Sequence, residues 1–273
     1  MTQAASDSSE RPASNRYGSR FVPGTFTPNP RPTGRAAMLA AQTRMELTLL
    51  LRNGEQLLLT MFIPITLLVG LTLLPFGSLG RDRIDKLVPA VMMVAVMSTA
   101  FTGQAIAVGF DRRYGALKRL GATALPRWGI IAGKSAAVLI VVVLQAVLLG
   151  VIGFALGWRP GVGGLLLGAL VIAVGTAVFA AMGLLLGGTL KAEIVLALAN
   201  ILWFIMLGIA SIVFASDDLP TAVNVIARLI PSGALAVALE QALRSSVDWF
   251  GLIVLTAWGL VCGFLATRFF RFH

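Results

Sequence analysis

The stretch Phe110–Trp128, FDRRYGALKRLGATALPRW, decides how the rest of the chain is read. It is a basic polar island, with Arg112, Arg113, Lys118, Arg119 and Arg127 against a single acid, Asp111. Apolar runs flank it, Val88–Phe110 before and Gly129–Leu156 after. Basic connections between membrane spans stay on the cytoplasmic side, so this one is expected there. It is long enough for a short helix on the membrane surface, with Tyr114, Leu117 and Leu120 as an apolar stripe and Arg113 and Lys118 off that stripe. Two readings follow: a solvated loop whose charges only set topology, or a docking surface for a soluble partner.

Composition frames the choice. The chain has 273 residues, 57% hydrophobic and 12% charged. Soluble domains carry about 25% charged residues, so an integral membrane protein is expected. A formal charge of +10 would suggest nucleic acid in a soluble protein, but here its placement points to membrane topology. One cysteine, Cys262, cannot form an internal disulfide or a thiolate metal site, and the one histidine is His273. These scarcities exclude most metal and histidine-dependent chemistry, and no metal site or catalytic residue is assigned.

Working outward to the N-terminus, residues 1–34 hold five of the twelve prolines and no apolar run. They read as a disordered cytoplasmic tail rather than a signal peptide or packed domain. Residues 35–273 form the membrane domain. Arg35–Glu55 opens it as an interfacial helix, with Arg44, Thr48, Arg52 and Glu55 on one face and Met38, Met45 and Leu49 roughly opposite. Six apolar runs follow, each near the roughly 20 residues that span a bilayer. They are Gln56–Leu79, Val88–Phe110, Gly129–Leu156, Val162–Leu190, Ile194–Ala215 and Trp249–Phe269. With the N-terminus inside, 16 basic residues lie on the cytoplasmic side and six outside, which places both termini in the cytoplasm. The predicted fold is therefore all-α, with six transmembrane helices in a multi-pass plasma-membrane protein. Between spans five and six, Thr221–Ile230 and Gly233–Arg244 are separated by Pro231 and too short to span. They read as two short helices on, or dipping into, the outer leaflet.

Gly129–Ser135, GIIAGKS, fails as a phosphate loop, because only three residues separate its first Gly from the Gly-Lys pair where four are required. Lys134 reads instead as an anchor snorkelling toward the cytoplasm. The pairs Gly153/Gly157, Gly164/Gly168, Gly183/Gly187 and Gly259/Gly263 allow close helix approach, with packing inside the chain favoured over a seam between subunits. No span carries an ionisable residue at its centre, which argues against proton- or ion-coupled transport. Thr102, Gln104, Gln145, Asn200, Trp203 and Met206 are candidate substrate-path residues, the last three on one helical face. The simpler reading is that such side chains bond neighbouring helices.

The central stretch resembles the permease of a type-2 ABC exporter, the class that includes antibiotic, lipid and polysaccharide exporters. Phe110, Arg112, Gly115, Leu117, Arg119, Leu120, Pro126, Gly133 and Lys134 match the pattern after the second span. Asp111 stands where that pattern has Glu, Arg113 replaces an acid, and Ala116 replaces Thr. The likeness extends over residues 35–273. It implies a transport subunit without its own ATPase, pairing with a second permease, identical or related, and with separate nucleotide-binding subunits. ATP and magnesium would be bound by that partner, with no cofactor in this chain. The stretch after span two would be the coupling helix, carried by Asp111, Arg112, Arg113, Tyr114, Gly115, Leu117, Lys118, Arg119 and Leu120. The apolar, uncharged interior favours a drug or lipid-like substrate moved outward in membrane lipid. A non-transporting scaffold or sensor, or a vitamin-capturing import component, is the alternative.

Overall fold

The computed structural model describes residues 34–73, 83–123, 125–215 and 220–270. The expected N-terminal tail lies outside them, as do residues 74–79 of the first predicted span and the acids Asp217 and Asp218. From Arg35 onward the chain is one compact unit, helical throughout and without strands among the described residues.

The helices are α1 (Arg35–Arg52), α2 (Gly54–Leu73), α3 (Arg83–Val96), a π-helical turn (Met97–Gly103), α4 (Gln104–Arg113) and α5 (Ala116–Gly121). They continue with α6 (Arg127–Ala155), α7 (Val162–Thr189), α8 (Ala192–Ala215), α9 (Thr221–Leu229), α10 (Pro231–Leu243) and α11 (Trp249–Phe269). Five stretches among the described residues are long and apolar enough to cross a bilayer: Arg83–Arg113, α6, α7, α8 and α11. The first predicted span corresponds to α2, a 20-residue helix that reaches the edge of the described residues at Leu73.

Prolines mark where helices begin and bend. Pro126 precedes α6 in extended conformation, and Pro231 opens α10, where its missing N–H costs nothing. Pro64 and Pro89 lie inside α2 and α3. Such prolines are tolerated within spans because neighbouring groups re-satisfy the freed carbonyls.

α9 and α10 meet at 102°, as a broken span or re-entrant loop. α10 is buried from Pro231 to Ala236 and runs along the first half of α7. Gly164 lies against the Leu243 carbonyl, and Gly175 against Leu235. The two short helices expected between spans five and six are thus present, and the second is sunk into the bundle. Where α9 gives way to α10, a Cβ on Gly233 would stand 2.1 Å from the Ala227 oxygen, so only glycine permits the bend.

The same economy of side chain joins α7 to the π-helical turn and to α4. A Cβ on Gly183 would stand 2.7 Å from the Phe101 oxygen, and one on Gly187 2.4 Å from the Ala105 oxygen. Of the glycine pairs singled out in the sequence, Gly164/Gly168, both against Leu243, and Gly183/Gly187 are close-packed within the chain at both positions. Gly263, by contrast, faces open space. Gly187→Val is expected to destabilise the purified protein by about 1–3 kcal/mol, the usual effect of overpacking. Gly263→Ala should leave thermal unfolding in detergent unchanged. Equal melting of both variants would show that the seam is not tightly packed.

Candidate functional site: the basic turn and its ionic anchor

The basic turn reverses the chain at one glycine. Tyr114 N–H donates to the Phe110 carbonyl at 2.9 Å and Gly115 N–H to the Arg112 carbonyl at 3.0 Å, closing α4. Gly115 then adopts φ 71°, the left-handed region that a residue without Cβ enters freely. α5 begins immediately after it, with Arg119 N–H donating to the Gly115 carbonyl at 3.1 Å. A Cβ at Gly115 would meet nothing within 4 Å, so conformation alone selects glycine there.

Leu117 holds α5 to the bundle. It is fully buried against Val108, Ile130, Leu184, Ala266 and Phe270, and Leu120 packs half-buried on the same cluster. Tyr114 does not share that face. It is 67% exposed and stacks on Phe110, because α5 starts two residues later than the expected stripe required.

The charges of the turn divide into two sets. Arg112 points inward, where its Nη1 donates to the Gly187 carbonyl at 3.0 Å and the Leu190 carbonyl at 2.9 Å. These oxygens end α7 and have no partner within their own helix, so a cation there is doubly favourable. Arg113 meets Glu193 of α8 at 2.6 Å in a solvent-exposed pair worth little by itself. Lys118 and Arg119 face outward, and Arg119 donates to the Tyr114 carbonyl at 3.3 Å. Exposed Tyr114, Lys118 and Arg119 therefore form a compact basic edge beyond the helix ends.

Behind that edge lies an ion cluster. Lys134 Nζ donates to Asp111 Oδ2 at 2.7 Å and to Glu46 Oε2 at 2.8 Å, and Gln42 Nε2 donates to Glu46 Oε1 at 2.9 Å. Lys134 and Glu46 are buried, whereas the Asp111 side chain keeps 36% exposure. The expected snorkelling anchor is corrected here: Lys134 is enclosed between α1, α4 and α6. Two carboxylates supply the compensation that its apolar surroundings lack. α1 packs on the cluster through a polar side that the sequence did not single out. Its buried side is Gln42 and Glu46, while Met45 and Leu49 are exposed. Gly133 makes this approach possible, since a Cβ there would stand 2.4 Å from Gln42 Cγ.

The candidate path residues separate into two places. Gln145 is buried, accepts from Thr99 Oγ1 at 3.0 Å and donates to the Thr60 carbonyl at 3.2 Å, tying α6 to the π-helical turn and α2. Gln104 is 4% exposed and its amide nitrogen has no partner. It lines a cavity of about 40 Å³ with Glu46, Thr60, Thr99 and Lys134, room for a few water molecules. Thr102 Oγ1, two residues away, is likewise buried without a partner. Asn200, Trp203 and Met206 lie on α8 and do not share one environment. Asn200 is exposed and bonds its own helix at the Leu196 carbonyl, Trp203 is half-buried, and Met206 is buried. A spacing of three residues twice over drifts too far around a helix to hold one face. Glu46 and Gln42 were not singled out from the sequence. The available signal was an acid on the interfacial helix opposite a lysine two turns inside a span.

The family model described as ABC-2 type transporter matches residues 39–243, more than half of the chain. The chain belongs to that family. No curated protein sequence matches it. It is a transmembrane subunit of an ABC transporter and a multi-pass membrane protein, and permeases of this family generally work with ATPase subunits. The match takes in α1, the basic turn and the re-entrant pair α9–α10, and it ends where α10 ends.

In this permease, removing one member of the ion cluster leaves charge buried without compensation. Lys134→Ala is expected to lower stability by about 3–5 kcal/mol, the usual effect of breaking a buried pair. The double variant Lys134→Met with Glu46→Leu should recover most of that loss, leaving Asp111 to solvent. Thermal unfolding of the three proteins in detergent decides it. A single variant as stable as the parent would show that the cluster does not hold the helices.

Proposed function

We propose that this chain is the membrane-spanning subunit of an ATP-driven exporter, moving a hydrophobic or amphipathic substrate of drug or lipid type outward. It pairs with a second permease, identical or related, and with separate ATPase subunits that bind ATP and magnesium. The chain itself carries neither cofactor nor catalytic residue. It sits in the plasma membrane with both termini cytoplasmic. Residues 35–273 form the permease domain, preceded by a cytoplasmic tail.

One observation carries this reading. The basic edge of Tyr114, Lys118 and Arg119 projects from a helix whose other side is fixed by Leu117, and whose preceding residues Asp111 and Arg112 are tied inward. A loop that only set topology would need positive charge but no rigid attachment. A coupling element needs both an exposed contact face and a stiff connection to several spans. Here the attachments reach α1, α6 and α7. Of the candidate path residues, Thr102 and Gln104, whose buried polar atoms are left without partners, are the ones a substrate path would include.

Two experiments test the proposal. Lys118→Glu with Arg119→Glu reverses the exposed charge without touching Leu117 or Arg112. This variant should insert and fold normally, yet lose its ATPase subunit on purification or hydrolyse ATP without transport. Truncating a buried charged contact at an interface costs about 2–5 kcal/mol, enough to dissociate a moderate complex. Unchanged partner binding and unchanged export would reduce the turn to a topology signal. For orientation, Cys262→Ala provides the background. Ala122→Cys should then be labelled only from the cytoplasm and Ser246→Cys only from outside. Labelling from the opposite sides would invert the topology.

A further inference from the structure

At the end of the bundle away from the basic turn, two cavities share a wall. Trp158 and Leu243 line both of them. One cavity is polar, about 380 Å³, and bordered by Asp85, Arg159, Gly161, Arg244 and Ser245. The other is an apolar groove of about 270 Å³ between α6 and α7, with Met92 of α3 behind it.

The groove exists because small residues replace large ones along the two helices. Ala146 and Gly150 on α6 face Gly168 and Ala169 on α7. Exposed Val147 and Val151 mark its open side. Its lining on α6 runs from Val143 to Phe154, which is roughly 16 Å of helix at 1.5 Å per residue. Half of a bilayer's hydrocarbon core is about 15 Å, so the groove matches one leaflet in depth.

The polar cavity sits at the mouth of this groove and carries charge of both signs. Arg159 is held in place, stacked on Phe154 at 5.6 Å and donating to the carbonyls of Phe154 and Trp158. Both of these bonds use Nη1, one of the three nitrogens of its five-donor fork, and Arg159 lines the cavity. Arg244 pairs with Glu240 at 3.0 Å through Nη2. Asp85 adds one carboxylate. Ser245 closes the rim with φ 63°, the one described non-glycine residue with positive φ, a conformation that surrounding structure must hold.

Two guanidiniums and one carboxylate over an apolar groove complement a headgroup that has a phosphate and an ammonium. We propose that the two cavities form one binding site for a phospholipid of the phosphatidylethanolamine type. It comes from the leaflet opposite the basic turn. One acyl chain lies in the groove, the phosphate meets Arg159 and Arg244, and the ammonium meets Asp85. This site is separate from the candidate transport path and does not rest on the exporter reading.

The test uses the full-length protein, delipidated in detergent and titrated with phosphatidylethanolamine, phosphatidylglycerol or diacylglycerol under native mass spectrometry. Wild type should retain phosphatidylethanolamine, with phosphatidylglycerol bound about tenfold more weakly for the loss of its ammonium contact, and diacylglycerol, which lacks both phosphate and ammonium, weaker again by at least another factor of about ten. Arg244→Gln and Asp85→Asn should each weaken phosphatidylethanolamine about tenfold, while Asp85→Asn leaves phosphatidylglycerol unchanged. Gly150→Leu fills the groove and should abolish retention. Its Cβ meets only Met92 and Trp158, at 3.8 and 3.9 Å, so the fold tolerates the start of the new side chain. Acyl chains brominated along their length should quench Trp158 in a variant that keeps only that tryptophan, and Gly150→Leu should remove the quenching. Equal binding of all three lipids, or all three variants binding like wild type, overturns the proposal. So does quenching of Trp158 that survives Gly150→Leu.

Discussion

A lysine shared between two carboxylates fixes where three parts of this permease meet. Lys134 belongs to α6, Glu46 to α1 and Asp111 to the end of α4. A buried ammonium is costly unless paired at close range, so these three helices are constrained to converge. Asp111 is the residue through which the constraint reaches the basic turn. From the other side Arg112 caps α7, and Leu117 fills a pocket between α4, α6, α7 and α11. The turn is six helical residues long, too short to be stable on its own, and its order comes from these attachments.

The remaining contacts are of a different kind. Hydrophobic burial does not drive helices together in lipid, so packing must do it. Glycines at 164, 175, 183 and 187 let α7 accept α10 on one stretch and the π-helical turn with α4 on the next. α7 is therefore the central post of the bundle. The π-helical turn beside it displaces the ladder by one residue and brings Thr99 to Gln145, in the region where Gln104 is left with an unpartnered amide.

Much of this was legible in the sequence, for identifiable reasons. Helical spans show themselves by length and hydropathy, since a bilayer requires every backbone group to be satisfied within the segment. The turn stood out because five cations in nineteen residues interrupt apolar sequence. Pro231 marked the break between α9 and α10. The apolar stripe of the turn was legible at Leu117 and Leu120 and not at Tyr114, and the inward direction of Arg112 was not legible at all, because a single turn of helix has no periodicity long enough to fix where it begins. Lys134 was misread for a related reason. Its position near a span's start fits snorkelling equally well, and only the arrival of Glu46, 88 residues earlier in the chain, distinguishes the two. The path residues on α8 were grouped by spacing alone, and a drift of helical phase separated them.

Coupling through the turn requires that it be mechanically continuous with the spans. Hydrogen exchange over residues 110–121 measures this in the permease alone. In the parent protein those amides should exchange slowly for so short and exposed a helix, because opening α5 requires breaking its attachments. Lys134→Met should accelerate exchange across the turn by about an order of magnitude, with little change in the interior of α7. Exchange in the turn that is fast in the parent, or indifferent to Lys134, would contradict the account.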